Sequence, residues 1–334
     1  MTIISGIQNE FFQRIRSILP SHLSLVDEIT EILNISDDSA YRRIRCEKQL
    51  SLDEFFLLCK HYDISSDEIL SRRSDKICFR SYLLDEKEFR FEQYLEAVLR
   101  DIKSLSEQKN PQMIIILNEL NLFQMMQVPE VAAFKFFFWS KSNLSFTDYK
   151  DQLFTANRPD DKLRKLSMEI LNYYVKIPTI ELMAEEVLSS IMKQICFYHE
   201  AGFFKGSRET NSLCDKLVDL MNHLRQQADL GFKFLYGIDP VGQEGNYMLY
   251  YNDLILADNT ILITSDETRM TYITSNAINL LLTNNPMFYE RNYQWGKTLI
   301  SKSTLISGSA EKERYKFFRG IEDQINKLRE KVYT

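Results

Sequence analysis

The densest set of residues able to do chemistry lies between Asp38 and Gln49. Between Arg42 and Lys48, the bases Arg42, Arg43, Arg45 and Lys48 stand against one acid, Glu47. An Arg fork pairs bidentately with a guanine edge, and a Ser hydroxyl such as that of Ser39 reads several bases. Basic side chains also meet phosphates, which fix position and give salt-dependent affinity. The plain alternative is a solvated helix face. Other candidates are thinner. Cys196 and His199 sit one helical turn apart, a spacing that fits metal co-ligation or a nucleophile–base pair. Their neighbours are apolar and no third ligand is near in sequence, so they read as a packed pair. Gly296-Lys297-Thr298 has the residue types that end a phosphate-binding loop, but the position of that motif's first glycine is Arg291. Ser301, Ser303, Ser307 and Ser309, with Lys302, form a polar stretch able to hold an anion or simply to cap the last helix. Glu185–Glu186 reads as helix solvation. With four His in the chain and no GxGxxG or GxSxG motif, the expectation is no enzyme, no cofactor and no metal.

The elements that must position Asp38–Gln49 are legible. Ser24–Leu33 reads as an amphipathic helix through Leu25, Val26, Ile29, Ile32 and Leu33. Asn34 tolerates the left-handed backbone of a sharp turn, and Ile35 can plug the gap between two helices. Ser36 is a good N-cap for a helix whose first turn carries Asp37 and Asp38. In that helix Tyr41 and Ile44 are expected inward and Ser39, Arg42, Arg43 and Arg45 outward. Leu52, Phe55, Phe56, Leu58 and Cys59 make another apolar stripe. Ser65, Asp67 and Glu68 start a short last helix ending near Leu70.

The run EITEILNISDDSAYRRIRCEKQLSLDEFFLLCKHYDISSDEIL resembles the Cro/C1-type (XRE-like) helix-turn-helix domain. The LNIS turn, the SAYRRI helix and the closing CKHYDISSDEIL pair carry the resemblance. Thr30 stands where that family usually has Ala, Asn34 where it usually has Gly, and Glu47 where Gly is common. The resemblance implies that the SAYRRI helix enters the major groove. It makes Asp38, Ser39, Arg42 and Arg43 base-edge candidates, and Arg45, Lys48 and Gln49 phosphate candidates. The stretches FKFFFW, KIPTIELMAEEVL and KSTLISGSAEKERYKFF also resemble the second half of uncharacterised bacteroidete-type regulators, which implies a recurring architecture and no chemistry.

Composition sets the frame. The chain has 334 residues, 44% of them hydrophobic and 26% charged, as in soluble globular proteins. Only 10 Gly and 7 Pro point to long helices. A net charge of −6 argues against broad coating of nucleic acid but leaves a local basic patch possible. Five Cys without a CxxC suggest neither a disulfide frame nor a zinc ribbon, and fit a reducing cytoplasm. No signal peptide is visible, and the longest apolar run is far short of a membrane span.

Residues 5–19 form a helix with Ile7, Phe11, Phe12, Ile15 and Ile18 on one side, broken by Pro20. Residues 71–80 are polar and basic, a linker whose Arg72, Arg73 and Lys76 could graze phosphate. Phe89–Glu107 is a helix and Met113–Leu117 a buried strand. Pro129 opens a helix, and Val131–Ser140 is an aromatic core segment, with a ligand pocket or dimer face as the rival reading. Lys162–Val175, Thr179–Ala201 and Arg208–Leu230 are helices, the last two expected as an antiparallel pair and dimer platform. Tyr236–Gly245 is a loop. Tyr247–Tyr251, Thr260–Thr264 and Met270–Thr274 read as an antiparallel meander. Ala277–Leu282 reads as a helical turn, Pro286–Ser303 as partly helical, and Lys312–Lys331 as a terminal helix with Phe317, Phe318, Ile321, Ile325 and Leu328 inward.

The expected fold class is mainly α. A five-helix Cro/C1-like helix-turn-helix domain (residues 1–75) precedes a helix-rich α+β domain with a small antiparallel sheet (residues 76–334). The expected function is a cytoplasmic transcriptional regulator. Its partners would be double-stranded DNA, a second copy of itself and a small-molecule or peptide effector, with no membrane. The alternative is a protein-interaction adaptor that keeps the fold without binding DNA.

Overall fold

A computed structural model describes residues 3–20, 22–62, 64–66, 69, 76–81, 89–156, 160–206, 208–253, 259–275 and 278–333. The chain divides into two units, Met1–Phe79 and Arg80–Thr334.

The first unit is helical. Helices α1 (Ile3–Ile18), α2 (Leu25–Leu33), α3 (Asp37–Ile44) and α4 (Leu52–His61) surround one core. Phe11, Phe12 and Ile15 of α1, Ile29 of α2, Ala40 of α3 and Leu58 of α4 fill it, with Ile35 packed at its edge. The α4 stripe is narrower than its sequence suggests: Leu58 and Cys59 are buried while Leu52 and Phe56 face solvent. Ile64 and Ile69 are buried in the same core. Asp67, Glu68 and Leu70 of the expected last helix, and residues 71–75 of the expected linker with Arg72 and Arg73, lie outside the described residues.

The second unit is built on a sheet. Its strands are β1 (Arg80–Ser81), β2 (Gln112–Leu117), β3 (Thr179–Met183), β4 (Tyr247–Tyr251), β5 (Thr260–Thr264), β6 (Arg269–Ser275), β7 (Asn279–Thr283) and β8 (Thr304–Leu305). They form one eight-stranded sheet in the order β1-β7-β6-β5-β2-β3-β4-β8. The sheet is larger than the small antiparallel one expected, and it is mixed. Strands β2, β3 and β4 run parallel, and the remaining pairings are antiparallel.

Three sequence expectations change here. The stretch Thr179–Ala201 is not one long helix: Thr179–Met183 is strand β3, and only Ser189–Glu200 is α-helical. Pro178, at the position of a helix start, instead precedes a strand, whose Thr179, Glu181 and Met183 alternate onto the same face, that of the main core, as a strand period requires. Strand β4 does not form a meander with β5. It lies beside β3, with β2 and β3 between it and β5, so the meander is β5-β6-β7. Asn279–Thr283 is strand β7 rather than a helical turn. Its apolar run Leu280–Leu282 fits either period over so short a span.

Helices cover both faces. On one side α5 (Phe91–Ser106), α6 (Leu122–Gln127), α7 (Pro129–Phe138), α8 (Asp161–Tyr174), α9 (Ser189–Glu200), α10 (Arg208–Leu230) and α12 (Glu311–Tyr333) build the main core on Met113, Ile115 and Leu117. On the other, α11 (Pro286–Ser301) packs Tyr289 and Leu299 against Ile114, Ile116, Leu182 and Leu262. The alternation of Met113–Leu117 between the two cores explains why that strand is apolar at every position. The partner of α10 is α12, fastened by Arg329–Asp215 at 2.6 Å and by Arg314–Asp229. The helix paired with α10 is therefore α12 rather than the expected α9. No helix among the described residues is long and apolar enough to cross a membrane.

Candidate nucleic-acid interface

The turn before α3 is built by hydrogen bonds visible in the residue types. Asn34 takes φ 49° and ψ 55°, the left-handed region. Its N–H donates to the Glu31 carbonyl at 3.3 Å, and the Ile35 N–H donates to that of Thr30 at 3.2 Å. Together these close the end of α2 and drop Ile35 into the core. Ser36 then caps α3, its Oγ accepting from the Ser39 N–H. At the far end the Cys46 N–H donates to the Arg43 carbonyl and the Glu47 N–H to that of Arg42. Here the left-handed residue is Cys46, at φ 62°.

The seven candidate residues separate into two groups. Asp38, Arg42, Arg45, Lys48 and Gln49 are exposed and Ser39 is half-buried. Arg43 is only 4% exposed, which removes it from the base-edge set. Its Nε and Nη2 donate to Glu54 at 3.0 and 2.6 Å, and its Nη1 donates to the Ser39 carbonyl at 3.0 Å. Tyr41, expected inward, is 46% exposed, and the Arg45 guanidinium lies 5.5 Å from its ring centre. The inward set of α3 is Ala40, Arg43 and Ile44, one step round the helix from the expected Tyr41 and Ile44. The outward stripe is thus Asp38, Tyr41, Arg42 and Arg45, spaced three, four and seven from its start as a single helix face requires.

Two residues that sequence reasoning passed over hold this face from behind. Glu54 joins Arg43 to a capping box, accepting from the Ser51 N–H at 3.0 Å while Ser51 Oγ accepts from the Glu54 N–H. The Ser51-x-x-Glu54 spacing was its signal. Arg43 beside it holds the Glu54 carboxyl below the usual carboxylate range. Gln8 of α1 is the second. Its Nε2 donates to the carbonyls of Arg43 and Lys48 at 2.7 and 2.8 Å, and its Oε1 accepts from the Leu50 N–H at 2.9 Å. Gln8 was legible as a long polar side chain on the face shared with Phe11, Phe12 and Ile15.

With Arg43 neutralised, the exposed cations Arg42, Arg45 and Lys48 stand near the exposed acids Asp37, Asp38 and Glu47. The acids gather at the start of α3, apart from Glu47, and the cations at its end. The face is polarised rather than uniformly basic.

In the larger unit several chemistry-capable residues lie in closed sets. Glu181, fully buried on β3, accepts from Tyr174 Oη at 2.6 Å, Tyr247 Oη at 2.7 Å and Gln124 Nε2 at 2.7 Å. Lys233 Nζ donates to the Ile177 carbonyl at 2.6 Å and to Thr179 Oγ1, and lies 3.8 Å from the Tyr174 ring centre. Burial drives its ammonium down to about 7, with Glu181 opposing. Cys196 and His199 do not converge. Cys196 Sγ meets Glu200 and Lys331 at 3.1 and 3.2 Å, while His199 Nδ1 faces Thr210 Oγ1 at 3.1 Å. Gly296 is interior to α11, where an added Cβ would sit 3.6 Å from Ile116, so Gly296-Lys297-Thr298 is a helix packed on the sheet and no phosphate loop. Ser303 and Ser307 fasten the chain to Asn252 and to the Leu249 N–H. Among the described residues no group of three or more His, Cys, Asp or Glu could hold a metal ion. Comparison with protein-family models, curated proteins and solved structures finds no match for this chain.

Proposed function

We propose that the chain is a sequence-specific DNA-binding transcriptional regulator acting in the cytoplasm as a homodimer. Helix α3 enters the major groove, and the larger unit receives the regulatory signal. The observation that carries this reading is the outward stripe Tyr41, Arg42 and Arg45, followed by Lys48 and Gln49. It sits on a short helix capped at both ends and fastened from behind by Gln8 and Glu54. The resemblance of residues 28–70 to Cro/C1-type domains supports it. In this assignment Arg42 reads a base edge, with Asp38 and Ser39 beside it at the start of the helix. Arg45, Lys48 and Gln49 meet phosphates. Arg43 is reassigned as a positioning residue. Two-fold symmetry sets two α3 helices about one helical turn of DNA apart.

The test is fluorescence anisotropy on duplex DNA from upstream of its own gene, then on duplexes selected from a random pool. Arg42→Ala/Arg45→Ala should weaken binding by at least about tenfold, since a bidentate base contact is worth roughly 1–3 kcal/mol. The salt slope of log K should fall by about 1 for each phosphate contact removed. Absence of binding from both sources overturns the reading.

The exposed Asp37 and Asp38 at the head of α3, with Arg43 neutralised, favour a second reading: a protein-interaction adaptor whose partner carries a basic face. That reading expects no steep loss of duplex affinity with salt, because there is no duplex affinity to lose.

A further inference from the structure

We propose that the larger unit carries a binding site for an amphipathic organic acid, with an apolar body seated among α6, α7 and α8 and a carboxylate at the mouth. The site is a cavity of about 450 Å³. That volume lies in the range of small-molecule sites, which run from roughly 300 to 1,000 Å³. Met126 of α6, Ala133, Phe136 and Phe137 of α7, and Leu163 of α8 make its apolar wall, with Phe154 closing it.

Three observations separate this cavity from a packing gap. The first is its outer wall, the segment 149–156, which is irregular but fastened along its length. Lys141 Nζ donates to the carbonyls of Tyr149, Lys150 and Gln152 at 3.0, 2.5 and 3.1 Å. Phe154 exchanges backbone hydrogen bonds with Phe203 and Lys205 at 2.8 and 2.9 Å. Glu209 accepts from Thr155 Oγ1 and the Ala156 N–H at 2.9 and 3.1 Å. A wall held open by an ammonium, a bridge and a carboxylate is preformed, which lowers the ordering cost of binding. The second is Ser167 of α8, on the cavity lining. It is 5% exposed, and its Oγ has no hydrogen-bond partner among the described residues. A buried hydroxyl in that condition calls for a partner. The third is charge. Exposed Arg164 and Lys205 line the cavity with one acid among the described lining residues, the exposed Asp160. Asp160 Oδ1 already accepts from the Lys162 and Leu163 N–H groups as the cap of α8. Arg164 touches the exposed Asp161 at 3.5 Å, and Lys205 has no ion-pair partner among the described residues. An apolar chamber with cations at its opening selects an anion with an apolar tail.

As an effector site it rests on the regulatory reading above; as a binding site it stands apart from it, and the test is run without DNA. Isothermal titration of the full chain uses sodium octanoate, decanoate and dodecanoate, with octanol as the uncharged control. At least one acid should bind with one site per chain. Octanol should bind more weakly than octanoate by roughly five- to tenfold, the reach of two partly exposed charge contacts. Arg164→Gln/Lys205→Gln should erase that difference while leaving octanol binding unchanged. Ala133→Trp should abolish binding of every probe with the thermal unfolding transition retained. Should that variant fail to fold, Ser167→Leu fills the cavity from α8 instead. No binding of any acid overturns the proposal, as does binding that the filling variant leaves intact or equal affinity for octanoate and octanol. A chain that binds these acids but no DNA keeps the site and loses only the regulator.

Discussion

Arg43 shows how one residue can have the right type and the wrong orientation. Its guanidinium serves Glu54 of α4 rather than solvent, so its loss should lower the stability of the first unit. Arg43→Ala leaves the Glu54 carboxylate, 21% exposed, without its cation. We expect a cost of roughly 2–4 kcal/mol in the first unit, seen as a lowered urea midpoint with unchanged slope. The same pair sets an acid limit. Because Glu54 titrates lower when folded, its contribution is complete above the unfolded value near 4.5 and is lost as pH falls through the folded value. His223 acts in a different window. It is 4% exposed, its Nε2 lies 3.1 Å from the Phe234 carbonyl, and burial lowers its pKa to about 4 from 6.5. Between those values the unfolded chain binds the proton and the folded one does not. Stability of the larger unit should therefore fall with acid at about 1.4 kcal/mol per pH unit. His223→Gln should flatten that slope in a series of urea melts from pH 7 to pH 4; an unchanged slope would assign the acid sensitivity elsewhere.

At the scale of elements, two backbone positions are open to improvement. Cys46 holds the left-handed turn after α3 without being glycine. Cys46→Gly should raise the melting point of the first unit by removing strain on the order of 1 kcal/mol. Gly296 sits in the middle of α11, with ordinary contact distances of 3.6 and 3.7 Å awaiting a Cβ. Gly296→Ala should add about 0.5–1 kcal/mol to the second unit by helix propensity; a loss would mean that α11 cannot give by the width of a methyl. These elements also mark where sequence reading works. The α2–α3 turn was legible because Asn34, Ile35 and Ser36 each act through their own backbone neighbourhood. Helices α5, α8, α10 and α12 were legible from periodicity long enough to be unambiguous. Strand β3 was not, because Thr179–Met183 leads into a short turn and then α9, and a helix period carried back across five residues still fits. The placement of β4 beside β3 was illegible for another reason: strand order is decided by pairings between distant segments and leaves no local mark. The same holds for Glu54 on Arg43, where the capping box was visible and its partner was not.

The whole molecule combines two units of different character. The first is small, with its contacts made among neighbouring helices. The second is a large mixed sheet whose central strands come from residues 112–117, 179–183, 247–251 and 260–264. Local contacts fold fast and distant pairings fold slowly. Stopped-flow refolding followed by far-ultraviolet circular dichroism should show a fast helical phase and a slower phase carrying the sheet. Arg43→Ala should shift only the denaturant dependence of the first. A single phase for both would contradict the division. The order of the strands carries one more consequence, for the chain while it is being made. Strand β2, with Met113-Ile114-Ile115-Ile116-Leu117, leaves the ribosome well before either neighbour: β3 begins at Thr179 and β5 at Thr260. Until both arrive, an isoleucine-rich strand waits with open edges, the condition in which nascent chains recruit chaperones or join one another. A message broken anywhere between those points would release a product whose stickiest segment has nothing to pair with except another copy of itself.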